Sequence, residues 1–174
     1  IDEIKNEIDD VLSSGMLTNH KYVKDFENST AEYIGVQHAV AVNSATSGLM
    51  LVLKALNIKG EVVVPSFTFV ATTHSLVWNN ITPVFVDCEA DTFNIDANKI
   101  ESAITNKTSA IMPVHMFGNP CDADAIQKIA DKHNLRVIID AAHAMGSIYN
   151  KSKVGKFGDA EIFSTSGTKL LVTG

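Results

Sequence analysis

The chain of 174 residues has little cysteine, little proline and no long apolar run. Cys88 and Cys121 are too few and too far apart for a disulfide framework or a CxxC metal site, so no metal is expected. Their scarcity fits a reducing cytoplasm. No stretch approaches about 18 consecutive apolar residues. The first residues form an acidic amphipathic segment without the basic and apolar regions of an export signal. A membrane partner is therefore not expected. Positive charge is also short: 14 Lys and Arg, scattered along the chain, stand against 20 Asp and Glu, for a net charge of -6. That balance argues against a nucleic-acid partner gripped through its phosphates. The sequence has no internal repeat, no low-complexity tract and no Pro-rich linker. It has neither a GxGxxG after its first β-rich run, as a dinucleotide-binding fold would, nor the GxSxG elbow of a serine hydrolase.

What is present is a 45% hydrophobic chain able to bury a sizeable core, of a length that folds as one globular domain. Ile1, Ile4, Ile8, Val11 and Leu12 recur at helical spacing up to Gly15, and Val23, Phe26, Thr30, Tyr33 and Ile34 repeat the pattern up to Gly35. Two amphipathic helices over 1–34 are expected. Beyond Gly35, short β-rich runs at 38–42, 61–64, 83–86, 109–114 and 135–139 alternate with segments long enough for helices. That alternation builds βαβ units and a mostly parallel sheet. Residues 45–56 are apolar nearly all round, as a buried helix would be, and 122–132 keep Ala125, Ile126, Ile129 and Ala130 on one side. A small hairpin around Asn150-Lys151 and a last strand at 161–164 complete the expectation. The sequence opens on Ile1 and stops after Thr173-Gly174, which reads as part of a longer chain.

In an open α/β sheet ligands bind beyond the carboxyl ends of the strands, so the residues after each run are the candidates. After 38–42 comes Asn43-Ser44-Ala45-Thr46-Ser47-Gly48, small and hydroxylated. It either caps a helix in the ordinary way or holds a phosphate at the helix N-terminus. After 61–64 comes Pro65-Ser66-Phe67-Thr68-Phe69, whose aromatic rings either pack in the core or stack on a flat heteroaromatic ligand. After 135–139 comes Asp140-Ala141-Ala142-His143, a carboxylate at the end of a buried strand, where it needs a partner. Finally, Phe163-Ser164-Thr165-Ser166-Gly167-Thr168-Lys169 sets a lone Lys in a hydroxyl-rich turn, either as a surface residue or as an amine for attack on an aldehyde. A phosphate-holding turn, a stacking aromatic, a strand-end Asp and then a Lys, in that order, match the parts of a pyridoxal 5′-phosphate (PLP) site.

The segments LTNHKYVKDFE, AEYIGVQHAVAVNSATSGL, VVVPSFTFVATTHS, TPVFVDCEADTFNID, AIMPVHMFGNPCDADAI, VIIDAAHAMGS and FSTSGTKLLVTG resemble the DegT/DnrJ/StrS family of PLP-dependent sugar aminotransferases, of fold type I. The resemblance implies a three-layer αβα sandwich on a mostly parallel mixed sheet, and a chain lacking the family's C-terminal small domain. It makes Lys169 the Schiff-base lysine, Asp140 the partner of the pyridine nitrogen and His143 a neighbour of the cofactor ring. Phe69 becomes the stacking aromatic, Thr46 and Ser47 the phosphate-binding turn, and Ser164 a further phosphate hydroxyl. His115 matches a site-proximal His of undefined role. Two departures stand out: Ala45 where the family usually has Gly, and His20-Lys21 where it usually has Gly-Pro, near substrate access.

The implied reaction moves an amino group from Glu or Gln to a nucleotide-linked keto-sugar, in a homodimer. Rival readings are a sugar dehydratase using the aminated cofactor, which typically has His in place of Lys169, and a PLP-binding member without turnover. The specific sugar, the aminated carbon and the nucleotide are not legible in the sequence.

Overall fold

The computed structural model describes residues 4–173, so Ile1 of the first expected helix lies outside the described residues. The chain divides into two compact units, Ile1–Ala41 and Val42–Gly174. In the first unit α1 spans Lys5–Ser14 and α2 spans Lys21–Ile34, each closed by a left-handed glycine, Gly15 and Gly35. Glycine adopts that conformation without steric cost, which is why the helical periodicity stops where it does. Helix α2 buries Ala31 and Ile34, whereas Ile4, Ile8 and Leu12 of the first stripe are exposed.

The expected strand at 38–42 does not form. Val40 is 79% exposed, and the Ala41 N–H donates to the Glu27 carboxylate at 2.8 Å instead of entering a ladder. A β-rich run makes a strand only when it finds a partner, and among the described residues this one has none.

The second unit is built on a five-stranded sheet in the order β2-β1-β3-β4-β7: β1 (Glu61–Pro65), β2 (Thr82–Val86), β3 (Thr108–Ile111), β4 (Arg136–Asp140) and β7 (Ala160–Ile162). All four pairings are parallel. The antiparallel member that a mixed sheet requires is therefore not among the described strands of this sheet. The anticipated hairpin is β5 (Ile148–Tyr149) with β6 (Ser152–Lys153), turned by Asn150 and Lys151, both at positive φ. Two consecutive left-handed residues give the turn whose twist matches paired strands.

Side chains alternate across the sheet and so define two cores. Val62, Val64, Ala110, Met112, Ile138 and Ile162 face α3 (Ala45–Ala55) and α4 (Val70–Trp78), packing on Leu49, Leu53 and Leu76. Val63, Ile111, Val137 and Ile139 face α5 (Ala97–Ala103) and α6 (Ala123–His133), packing on Ile100, Ile126 and Ala130. The result is the three-layer α/β architecture. Helix α3 is not buried all round, since Leu51 is exposed. Helix α4 contains β-branched and aromatic residues of low helix propensity, and it is held by packing of its buried Thr72, Ser75 and Leu76. Among the described residues no helix is long and apolar enough to cross a membrane.

The start of β7 depends on Gly158, at φ 64°, where a Cβ would lie 2.7 Å from the Val137 carbonyl oxygen. Beside it, Asp159 bonds Arg136 Nη1 at 2.6 Å and the Val137 N–H at 2.8 Å. Gly158→Ala is expected to destabilise the protein by about 1–3 kcal/mol through this strain and clash. Denaturant unfolding of the full-length protein checks it.

Candidate functional site

Asp140 closes β4, in register with Ile162, and is 5% exposed. The pleat turns it toward the α3 and α4 layer, where its Oδ2 accepts from the Thr72 hydroxyl at 2.7 Å. Thr72 shares a second hydrogen bond with Thr68 at 2.8 Å, and Asp140 Oδ1 accepts from the Ala142 N–H at 3.1 Å. Among the described residues no cation forms an ion pair with Asp140. A buried carboxylate held by neutral donors alone is a costly arrangement unless a positive group completes it.

His143 follows on the same strand end. Burial, then the Lys169 charge, push its pKa below the ordinary histidine value, against an upward pull from Asp140. These electrostatic couplings place Asp140, His143 and Lys169 in one neighbourhood. Because the folded state favours the neutral ring, it holds fewer protons than the unfolded chain just below pH 6.5, so the His143 contribution to stability falls as pH drops through that window. Lys169→Ala is expected to raise the His143 titration midpoint, and Asp140→Asn to lower it. Both are readable by NMR of the ring protons across a pH series.

The remaining candidates sit at the same carboxyl edge. Phe69 immediately precedes α4 and is 72% exposed, so it is not a core residue. Thr46 and Ser47 lie in the first turn of α3, whose N-cap is Ser44: its hydroxyl oxygen accepts from the Ser47 N–H at 3.1 Å and its O–H donates to Ser47 Oγ at 3.0 Å. Ordinary capping thus accounts for Ser44, while the turn still directs first-turn amides outward, as a helix start must. At Gly48 a Cβ would lie 3.1 Å from the Ile162 side chain, so the small residue lets the start of α3 approach the end of β7. Ser164 follows β7 and bonds within its own turn to Ser166. Lys169 is half-buried, and its N–H donates to the Ser166 carbonyl at 2.9 Å.

Several residues were not singled out by sequence. Thr72 supports Asp140; its spacing of four from Thr68 is the only signal it carried. Phe117 adopts a left-handed backbone (φ 54°, ψ 22°), and its ring lies parallel to that of His143 within 3°, centroids 6.3 Å apart. With Phe67 and Phe93 it forms an exposed aromatic cluster, centroids 5.6–6.4 Å apart. Asn94 ties this loop down: its Oδ1 accepts from the Met116 N–H at 3.0 Å, and its Nδ2 donates to the Asn119 and Pro120 carbonyls, both at 3.2 Å. The Cys121 thiol is pushed up to about 12, by burial first and by the Glu161 charge second, and is no nucleophile at neutral pH. Among the described residues no cluster suits a metal ion.

A family model described as the DegT/DnrJ/EryC1/StrS aminotransferase family matches residues 1–174. The chain is 48% identical over 148 residues to dTDP-4-amino-4,6-dideoxy-D-glucose transaminase of Escherichia coli, covering 84% of this chain and 40% of that protein. Among solved structures it resembles DesI, determined in the presence of its TDP-sugar product, with a TM-score of 0.92, 45% identity, and coverage of 95% of this chain and 43% of that one. It also resembles the PLP form of Spr1654 from Streptococcus pneumoniae, described as a sugar aminotransferase, with a TM-score of 0.91, 33% identity, and coverage of 96% and 47%. The chain thus spans less than half the length of these relatives.

Proposed function

The chain belongs to the DegT/DnrJ/EryC1/StrS aminotransferase family, and from that premise we propose that it is the cofactor-binding portion of a PLP-dependent aminotransferase acting on a nucleotide-linked keto-sugar. The observation that carries this reading is Asp140, a buried strand-end carboxylate with neutral donors, no cationic partner among the described residues, and His143 and Lys169 in electrostatic range. That donor set fits PLP, whose protonated ring nitrogen is the cation such a carboxylate lacks.

Asp140 would hold the ring-nitrogen proton, with Thr72 and the Ala142 N–H keeping the carboxylate aimed. Phe69, already exposed, would cover a ring face. Thr46, Ser47 and Ser164, with the first-turn amides of α3, would hold the phosphate, as a helix N-terminus favours an anion. Ala45 stands beside that turn with the smallest side chain after Gly, and the closeness of α3 to β7 at Gly48 supports a shared role for the two segments proposed to hold the phosphate. When bound, the cofactor supplies an electron sink for the carbon whose proton is removed. Lys169 would secure the cofactor's aldehyde through its Nζ and, once displaced by the donor's amine, take the proton from the donor's Cα. His143, favouring the neutral form, would present an uncharged nitrogen beside the ring.

Glu or Gln is the amino donor in this reading, supported by the family resemblance. The small C-terminal domain of the longer relatives and a second subunit would complete the substrate site, in the cytoplasm. The half-reaction tests it: full-length protein loaded with PLP and mixed with L-glutamate is expected to release one equivalent of 2-oxoglutarate per active site. Failure to release a keto acid from either glutamate or glutamine overturns the reading.

A further inference from the structure

Behind the site, on the α5 and α6 side of the sheet, lies a pair of buried titratable groups that the chemistry above does not use. His115 and Glu161 have side chains 0% and 1% exposed, with His115 Nε2 and Glu161 Oε2 3.4 Å apart. Among the described residues these are the two buried side-chain polar atoms without a hydrogen bond, and each is the other's ion-pair neighbour. The other end of each group is engaged. His115 Nδ1 accepts from the Cys121 N–H at 3.1 Å, and Glu161 Oε1 accepts from the Phe157 N–H at 2.7 Å. An Nδ1 that accepts forces the ring proton onto Nε2, so the imidazole presents a donor to the carboxylate.

The location gives the pair its significance. The His115 N–H donates to the Asp140 carbonyl at 3.0 Å, and Val114 bridges to Asp140. His115 also opens the strained turn that carries Phe117 against His143. Glu161 lies in β7, in register with Ile139, one strand turn before the segment that leads to Ser164 and Lys169. One side-chain contact therefore joins the β3 end, the Asp140 strand and the strand that delivers Lys169.

We propose that His115 and Glu161 are positioning residues, whose contact across the back of the sheet sets Lys169 and the Phe117–His143 pair relative to Asp140. The proposal rests on the functional reading above. A carboxylate is required because both of its oxygens face donors, the Phe157 N–H and His115 Nε2, and an amide accepts at one end only. Strained backbone such as that of Phe117 persists only where its surroundings over-determine it.

The test uses full-length protein with Glu161→Gln and with the apolar pair His115→Leu/Glu161→Leu, which removes the contact outright and also takes the acceptors from the Cys121 and Phe157 N–H groups. Three quantities are read: melting temperature, PLP dissociation constant by absorbance titration, and amide exchange at Lys169 and Thr173 in the cofactor-free protein, whose N–H groups bond Ser166 and Thr165. Glu161→Gln is expected to weaken PLP binding by roughly tenfold to a hundredfold, the scale of an ångström-level misplacement, and to speed exchange at Lys169. It should lower kcat with the sugar KM unchanged. The double variant is expected to melt below wild type, since two backbone donors lose their acceptors, and to show the same site defects. Wild-type cofactor affinity and exchange in the double variant overturn the proposal, as does a Glu161→Gln protein that melts earlier with both site readouts unchanged. If the double variant does not fold, Glu161→Gln decides alone. If wild-type protein binds no PLP, the functional reading fails, and the exchange at Lys169 and Thr173 still decides whether the pair positions that turn.

Discussion

Lys169→Ala in the full-length protein is expected to abolish transamination, lowering turnover by at least the roughly 10²–10⁴-fold that a positioned proton-transfer group contributes. The loss goes further than that because, in the proposed mechanism, the same Nζ would both secure the cofactor and move the donor's proton. The turn is small and hydroxylated, from Ser164 to Thr168, and Lys169 joins it through one backbone bond, N–H to the Ser166 carbonyl at 2.9 Å. Lys169 is half-buried, and its side chain makes no ion pair among the described residues, so the alanine variant should melt within a few degrees of wild type. A rate assay with glutamate and a nucleotide-linked keto-sugar, set beside a thermal melt, separates the two effects. An Ala variant with a tenth or more of wild-type turnover would remove Lys169 from the chemistry.

Asp140→Asn is expected to cost cofactor affinity far more than it costs stability without cofactor. The carboxylate is 5% exposed and accepts two hydrogen bonds from neutral donors, Thr72 and Ala142, with no ion pair among the described residues. Asparagine keeps one of those bonds and loses the other, a charge-assisted bond of about 1.5–3 kcal/mol. It also removes a buried charge that lacks an ion-pair partner, which offsets that loss. The two effects oppose, so without cofactor the melting temperature of the variant should move by no more than a few degrees. With PLP present the variant loses a charge-assisted hydrogen bond of about 1.5–3 kcal/mol, which is roughly tenfold to 150-fold in dissociation constant. A residue retained only for the fold would do the reverse, lowering stability and leaving affinity alone. Calorimetry with and without PLP reads both.

The order of the parts was legible in the sequence because each lies at the end of an apolar run, and apolar runs mark strands. Asp140 follows 135–139, and the structure does end β4 there. The small-residue turn after Val42 opens α3, and the hydroxyl-rich turn follows β7. Where the pattern misled, the reason was a missing partner. Residues 38–42 are β-prone by composition, yet pairing decides whether a strand forms, and composition does not encode pairing. The support around the site was less visible still. Thr72 supports Asp140 from a helix 68 residues away in sequence, and Phe117 reaches His143 from a left-handed turn that a bulky residue rarely adopts. Glu161 shows the same limit. In a β-rich run a charge reads as the solvent-facing half of an alternation, and only the sheet order, with β7 beside β4 and α6 over that face, reveals it as buried against His115.

The most direct test of the central claim is borohydride reduction of the full-length protein mixed with PLP, followed by peptide mass mapping. The account predicts a visible absorbance band that reduction abolishes, with the cofactor's mass fixed on Lys169. A band that never forms, or an adduct on any other lysine, contradicts it.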